Sequence, residues 1–271
     1  MTTGKNGRFA TLIYCGILLI CFLSVFFMPR EVIEEIVVEE VIPEPEPEPV
    51  PDFGSILDVD QKKETFFDYI EPYIHQVNAE ILQQRSRVLA IRDKVQKKQD
   101  LSAADLRYIS RLAEQYELEG DDLDNLDFLG VLLRRVDTIP VSLALAQAAN
   151  ESAWGTSRFA QDGYNFFGQW CYSDGCGIVP NRRREGATHE VRRFDSPRDS
   201  VQAYIHNLNT FPSYQMLRRI RQQMRQQNRP LDGVSLADGL ESYSERGLDY
   251  IDELQVMIYT NNLLARDNPI L

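Results

Sequence analysis

Histidine is scarce in this chain of 271 residues: there are three, His75, His189 and His206. None stands at ligand spacing, which argues against a metal centre, and no organic cofactor is suggested either. Bases are missing over a long stretch, since none appears between Arg30 and Lys62. Acids outnumber Lys and Arg by 41 to 29, for a net charge of −12. That balance excludes a nucleic-acid partner as the main reading, despite basic tracts at Arg182–Arg184 and Arg218–Arg225. The second tract alternates with Gln in a helical pattern and reads as a solvated helix face. Strand-forming sequence is nearly absent outside residues 176–195, and no internal repeat is visible.

Charge is also absent from Phe9 to Met28, a run rich in Leu, Ile and Phe. Such a run is long enough to cross the roughly 30 Å hydrocarbon core as a helix. Lys5 and Arg8 before it place the N-terminus in the cytoplasm and the remainder outside. A cleaved signal peptide is the competing reading, but the run ends "SVFFMPRE", without a small-residue cleavage site. The sequence therefore favours an uncleaved anchor through residues 9–28.

Residues 31–52 follow with eight Glu and one Asp against no base. Within them, Pro43–Pro51 alternates proline with glutamate, which fixes φ and repels like charges. A stiff polyproline II spacer is expected, reaching on the order of 28 Å. A disordered linker is the plainer reading. Either keeps the following domain clear of a bilayer.

Cys15 and Cys21 lie inside the apolar run and read as packing residues. Cys171 and Cys176 bracket the turn sequence "YSDG". Outside the cytoplasm they are candidates for a small disulfide, with two free thiols as the alternative.

Beyond Ile56 the pattern is helical. Apolar residues recur at three- and four-residue steps, with a break expected at Pro72 that gives helices near 61–70 and 72–98. Ser102, three residues before Asp105, is a candidate N-cap. Pro140 suits the first turn of "PVSLALAQAANESAWG". Two β-tolerant runs flank Glu185-Gly186 and suggest a hairpin, after which helix resumes to the end. The fold class expected is mainly α (α+β), on one core in residues 53–271.

One acid is oddly placed. Glu151 lies near the C-terminal end of helix 140–151, just before Trp154 and the expected C-cap Gly155. Helix dipoles disfavour anions there, and partial burial beside an indole raises a carboxyl pKa further. A general acid for glycosidic cleavage needs such a held proton. From Glu151 alone an ordinary solvated helix end is the more economical reading.

The surroundings add to it. "ESAWGTSRFA" followed by "YNFFGQW" closely resembles the glucosaminidase family of bacterial peptidoglycan hydrolases, over roughly residues 138–262. The anchor and Pro-Glu linker look most like its Bax-like branch. The resemblance implies a lysozyme-like fold, with a helical lobe, a small β-hairpin lobe and a cleft between. It implies a periplasmic glycoside hydrolase on the bacterial inner membrane, acting on β-1,4 bonds next to N-acetylglucosamine in peptidoglycan strands. Glu151 then matches the general acid. Asn165, Phe166, Phe167 and Gly168 match the segment lining the sugar cleft. Trp154, Tyr164, Phe166, Phe167 and Trp170 offer aromatic faces for pyranose rings, though some of these are equally core candidates. "GLESYSERGLDYIDEL" is similar to the family's tyrosine segment and places Tyr243 at the functional tyrosine and Tyr250 at a second one. It departs from the pattern by Ser-Glu for Ala-Thr and by one extra residue. A second carboxylate is implied in the β-lobe, with Glu185 ranked ahead of Glu190.

The organisation expected is a cytoplasmic tip and anchor at 1–30 and a linker at 31–52. A helical extension at 53–137 and a catalytic domain at 138–271 follow. Two alternatives stand beside it. One is a glycan-binding module without catalysis. The other is a TonB-type energy transducer, which the short spacer and helical domain disfavour.

Overall fold

The computed structural model describes residues 49–120, 122–181, 183 and 186–267. The expected anchor at 9–28, most of the acidic linker, Arg182, Arg184 and Glu185 lie outside the described residues. Among the described residues, no helix is long and apolar enough to cross a membrane.

The first helix, α1, runs unbroken from Val59–Gln96 with Pro72 inside it. The expected break is therefore absent. Proline costs a helix interior about 3 kcal/mol through one lost hydrogen bond and a clash. Here Pro72 and Asp68, whose carbonyl would have been bonded, both lie on the exposed face where water replaces the bond. The opposite face buries Phe66, Phe67, Ile70, Ile74, Val77, Ile81, Val88 and Ile91. Each such side chain contributes about 1.5–3 kcal/mol, so burial on both sides of Pro72 outweighs its cost.

Helix α2, Ala103–Gln115, starts at a capping box between Ser102 and Asp105. Lys94 Nζ donates to Asp105 Oδ2 at 2.8 Å, and this bond and the Ser102 hydroxyl hold the carboxyl at about 2. Helix α3 spans Leu126–Arg135 and α4 Val141–Ser152. Helix α4 is the centre of the molecule, because every residue from Val141 to Ala149 is buried. A helix apolar on nearly all sides belongs inside a core. Its alanines admit neighbours closely, and α1, α8 (Gly233–Ala237) and α9 (Leu248–Thr260) all pack on it.

After the short α5, Arg158–Gly163, three small strands form one antiparallel sheet. They are β1 Trp170–Cys171, β2 Gly177–Ile178 and β3 Glu190–Arg192, in the order β1-β3-β2. The hairpin expected within 176–195 is present as β2 paired with β3, with Gly177 opposite Arg192 and Ile178 opposite Val191. Strand β1 on the far edge was not expected; at two residues it is too short to show alternation. Cys171 and Cys176 are joined in a disulfide that closes the β1–β2 turn. Helices α6, Pro197–Thr210, and α7, Gln215–Gln226, then return to the helical layer.

Residues 53–137 do not stand apart from 138–271. All the described residues belong to one unit, and α1 packs on α3, α4 and α6. Phe53, Phe66 and Phe67 belong to the same hydrophobic cluster as Leu143, Phe166 and Tyr204.

Candidate active site

Helix α4 ends in three successive left-handed residues, Ala153 (φ 51°), Trp154 (φ 57°) and Gly155 (φ 74°). The cap is thus Ala153, two residues before the expected glycine. Gly155 serves close packing: a Cβ there would come within 2.4 Å of Phe53 Cδ2. The Phe53, Phe66 and Phe67 rings of the N-terminal segment brace this turn, and Trp154 meets Phe66 and Phe67 edge-on at 6.0 and 5.5 Å. Trp154 is consequently half-buried on protein rings, with Lys63 Nζ 5.4 Å from its centroid.

Glu151 sits in the last turn of α4, partly buried. Its pKa is raised, mainly because burial penalises the charged form. The Tyr250 hydroxyl donates to Glu151 Oε1 at 2.9 Å and partly offsets that rise. Behind it runs a buried relay. Tyr204 Oη donates to Gln147 Oε1 at 2.6 Å, and Gln147 Nε2 donates to Tyr250 Oη at 3.0 Å. The amide occupies a phenolic lone pair, so the Tyr250 hydroxyl is left pointing its proton at Glu151. Burial and the Glu151 charge push the Tyr250 phenol well above its usual range, so it stays a donor.

The other carboxylate oxygen faces Gly168. A Cβ at Gly168 would lie 3.4 Å from Glu151 Oε2, and the residue's φ of +65° favours glycine. The missing side chain leaves Oε2 open beside an exposed backbone turn. One oxygen is held and the other is free.

Tyr243 has a different place. Its ring stacks on Tyr250 (5.6 Å between centroids, 3° between planes), and its hydroxyl donates to the Phe167 carbonyl at 3.0 Å. Its hydroxyl bonds the Phe167 carbonyl rather than Glu151, whose charge adds to burial in raising the Tyr243 pKa. The tyrosine on the carboxylate is thus Tyr250, the residue matched to the family's second tyrosine.

Several residues expected to face sugar are buried. Phe166 is inaccessible, and Phe167, nearly so, stacks on Tyr204 at 3.9 Å. Asn165 is also buried. Its Nδ2 donates to the carbonyls of Gln169 and Arg192, and its Oδ1 accepts from Gln169 N, clamping the 165–169 turn to β3. These three position Gly168 and offer no surface to a ligand. Tyr164 is partly buried with φ 50°. Trp170 keeps 56% of its surface exposed while one face stacks on His189 at 4.3 Å.

Glu190 is not available to a ligand. It is buried, and its two oxygens accept from Gly175 N (3.1 Å) and Gly177 N (2.8 Å), pinning the disulfide-closed turn. Glu190, Cys171 and Cys176 lie close enough together to suggest a metal cluster. The thiols are consumed by the disulfide and the carboxylate by amides, so the donor set does not fit one. Glu185, ranked first as the second acid, lies in the β2–β3 loop outside the described residues.

Sequence reasoning missed Gln147 and Tyr204. Gln147 is a polar group inside an apolar helical run, and that was the available signal, since a buried polar side chain needs a partner; Tyr204, in the more polar PRDSVQAYIHNLNT, carried none.

The elements carrying Glu151, Gly168, Tyr204 and Tyr250 all fall within residues 131–263. These residues match the model of the Glucosaminidase family, described as mannosyl-glycoprotein endo-beta-N-acetylglucosaminidase. The chain is also 30% identical over 214 residues to Protein bax of Escherichia coli (strain K12), covering 79% of this chain and 75% of that one. It belongs to the glucosaminidase family. The match to the bax protein is too long to fit within 131–263, so this glucosaminidase-family chain shares with it much of the segment carrying α1 to α3 as well. That agrees with a core in which those helices and the site are continuous. No solved structure matches the chain.

Proposed function

We propose that this glucosaminidase-family protein is a peptidoglycan hydrolase. It cleaves β-1,4 glycosidic bonds next to N-acetylglucosamine, with Glu151 as general acid. The observation that carries the reading is the asymmetry of the Glu151 carboxyl. Oε1 is fixed by Tyr250, and Oε2 is open beside Gly168. Burial raises the carboxyl pKa and so favours the protonated form, from which Oε2 delivers the proton to the leaving glycosidic oxygen as the bond breaks. Tyr250, Gln147 and Tyr204 hold the carboxyl in one orientation. The exposed ring of Trp170 offers a face for a pyranose.

The helical body with a small sheet supports a lysozyme-like arrangement in which the sheet forms the second wall of the cleft. Glu190 is engaged by two amides, so we assign the second carboxylate to Glu185 in the β2–β3 loop, where it activates water on the far face of the sugar. For location, the uncharged run at 9–28 supports a single-pass anchor. The Cys171–Cys176 disulfide supports a catalytic domain outside the cytoplasm.

Release of reducing ends from purified sacculi tests the proposal. Glu151→Gln should lower the rate by roughly 100-fold or more, the usual contribution of a positioned acid. An unchanged rate would sink the mechanism. Binding of sacculi by the wild type with no release at all would make the chain a glycan-binding module. Full activity in Glu185→Gln would transfer the second role to the substrate's own acetamido group.

A further inference from the structure

The Arg218–Arg225 tract does not form the solvated face that its pattern suggests. Arg221 is 1% exposed and Arg218 7%. Both line, from α7, a cavity of about 480 Å³ whose other walls come from α1 and α3. Six arginines line it: Arg85 and Arg92 from α1, Arg134 from α3, and Arg218, Arg221 and Arg225 from α7. One acid lines it, Asp137, just before α4.

Asp137 is already fully used. Its Oδ1 takes Arg225 Nη2 at 2.8 Å, and Oδ2 faces Arg225 Nε and Arg85 Nη1, each at 3.3 Å. Three arginines fix the deep wall through bonds to backbone carbonyls. Arg221 donates to the carbonyls of Asp137, Thr138 and Arg134. Arg85 donates to those of Leu133 and Val136, and Arg218 to those of Leu208 and Phe211. Carbonyl bonds orient these guanidiniums without neutralising them. Arg92 and Arg134, both part-exposed, have no ion pair or side-chain hydrogen bond among the described residues. A chain of net charge −12 has thus gathered six cations around one anion. The crowding is costly: burial first, then neighbouring arginines, pushes the Arg218 guanidinium down to about 10. In Arg221 burial dominates, and even with Asp137 opposing it the guanidinium is lowered to about 10.

We propose that this cavity is a binding site for a small multivalent oxyanion, one carrying two or more phosphate or carboxylate groups. Planar guanidinium forks match such oxygens in pairs. The volume exceeds that of a single inorganic ion and falls in the range of small-ligand sites. Gln222, Gln226 and Ser86 add neutral hydrogen-bonding groups, and Leu82 and Leu89 give an apolar flank. The site is separate from Glu151. Asp137 precedes the start of α4 and Glu151 stands in its last turn, and the ten residues Val141–Asn150 between them span ~15 Å.

Isothermal titration of the full chain with inorganic pyrophosphate and, separately, with citrate tests the proposal. Saturable one-to-one binding of at least one probe is expected, with the preferred probe naming phosphate or carboxylate as the ligand's group. Affinity should fall at least tenfold in R92E/R134E, whose melting transition should persist because neither guanidinium has a protein partner. No saturable binding of either probe overturns the proposal, as does undiminished affinity in the variant. If the double reversal fails to fold, the milder R92Q/R134Q is read by the same tenfold criterion.

Discussion

Replacing Tyr250 with phenylalanine removes one oxygen and two hydrogen bonds. The first runs to Glu151 Oε1 at 2.9 Å, and the second comes from Gln147 Nε2 at 3.0 Å. A hydrogen bond to a charged group is worth about 1.5–3 kcal/mol, and a carboxylate partly open to water takes the low end. The lost bond favoured the ionised form of Glu151, so its pKa must rise further above the usual carboxylate range. At about 1.4 kcal/mol per unit, the displacement is about one unit. A general acid works while protonated, so its pKa sets the basic limb of the pH–rate profile. In Tyr250→Phe that limb should therefore move about one unit toward higher pH, in reducing-end release measured from pH 4 to 9. The maximum rate should fall as well, because the carboxyl is no longer held in one orientation. Tyr243→Phe is the control, since its hydroxyl serves the Phe167 carbonyl and leaves the limb in place. A limb that stays put in Tyr250→Phe, or moves to lower pH, would refute the reasoning.

Three further outcomes are expected. The folded-state pKa of Glu151 is raised by burial, so its penalty on stability is absent below the unfolded carboxylate pKa and grows as pH rises through the folded one. Glu151→Gln should accordingly raise the melting temperature at pH 8 and leave it unchanged at pH 3, while removing activity. Gly168→Ala should cost about 1–2 kcal/mol for a positive φ and place a methyl 3.4 Å from Glu151 Oε2; reducing-end release should drop further than the urea midpoint accounts for. Gly155→Ala combines a φ of +74° with a Cβ 2.4 Å from Phe53. It should lower stability by about 2–4 kcal/mol in urea denaturation, a loss that the truncated variant Phe53→Ala/Gly155→Ala would not add to in full.

Local signals in the sequence reach only so far. The Ser102–Asp105 cap and the helix ending near Glu151 involve residues a few positions apart, and each is found in the structure, while Pro140 falls one place short of the expected first turn, at the N-cap. Pro72 shows where such signals fail. A local rule prices the lost hydrogen bond, while the burial that outweighs it comes from α4 and α6 across the core. The aromatics of "YNFFGQW" show the same limit. Nothing in seven residues distinguishes a ring offered to a sugar from one stacked, as Phe167 is, on a tyrosine from α6.

The sequence by itself determined the helical periods, the uncharged N-terminal run, the β-tolerant segment and the position of one acid at an unfavourable helix end. All of these rest on interactions within about one or two helical turns. Only the tertiary structure decided that Tyr250, 99 residues away, and not Tyr243, holds that acid. It also decided that Glu190 is spent on two glycine amides and that the Gln-interleaved arginines of α7 face inward around Asp137. Periodicity says which residues share a face. What covers that face, and which polar groups must pair beneath it, is set by packing between segments far apart in the chain.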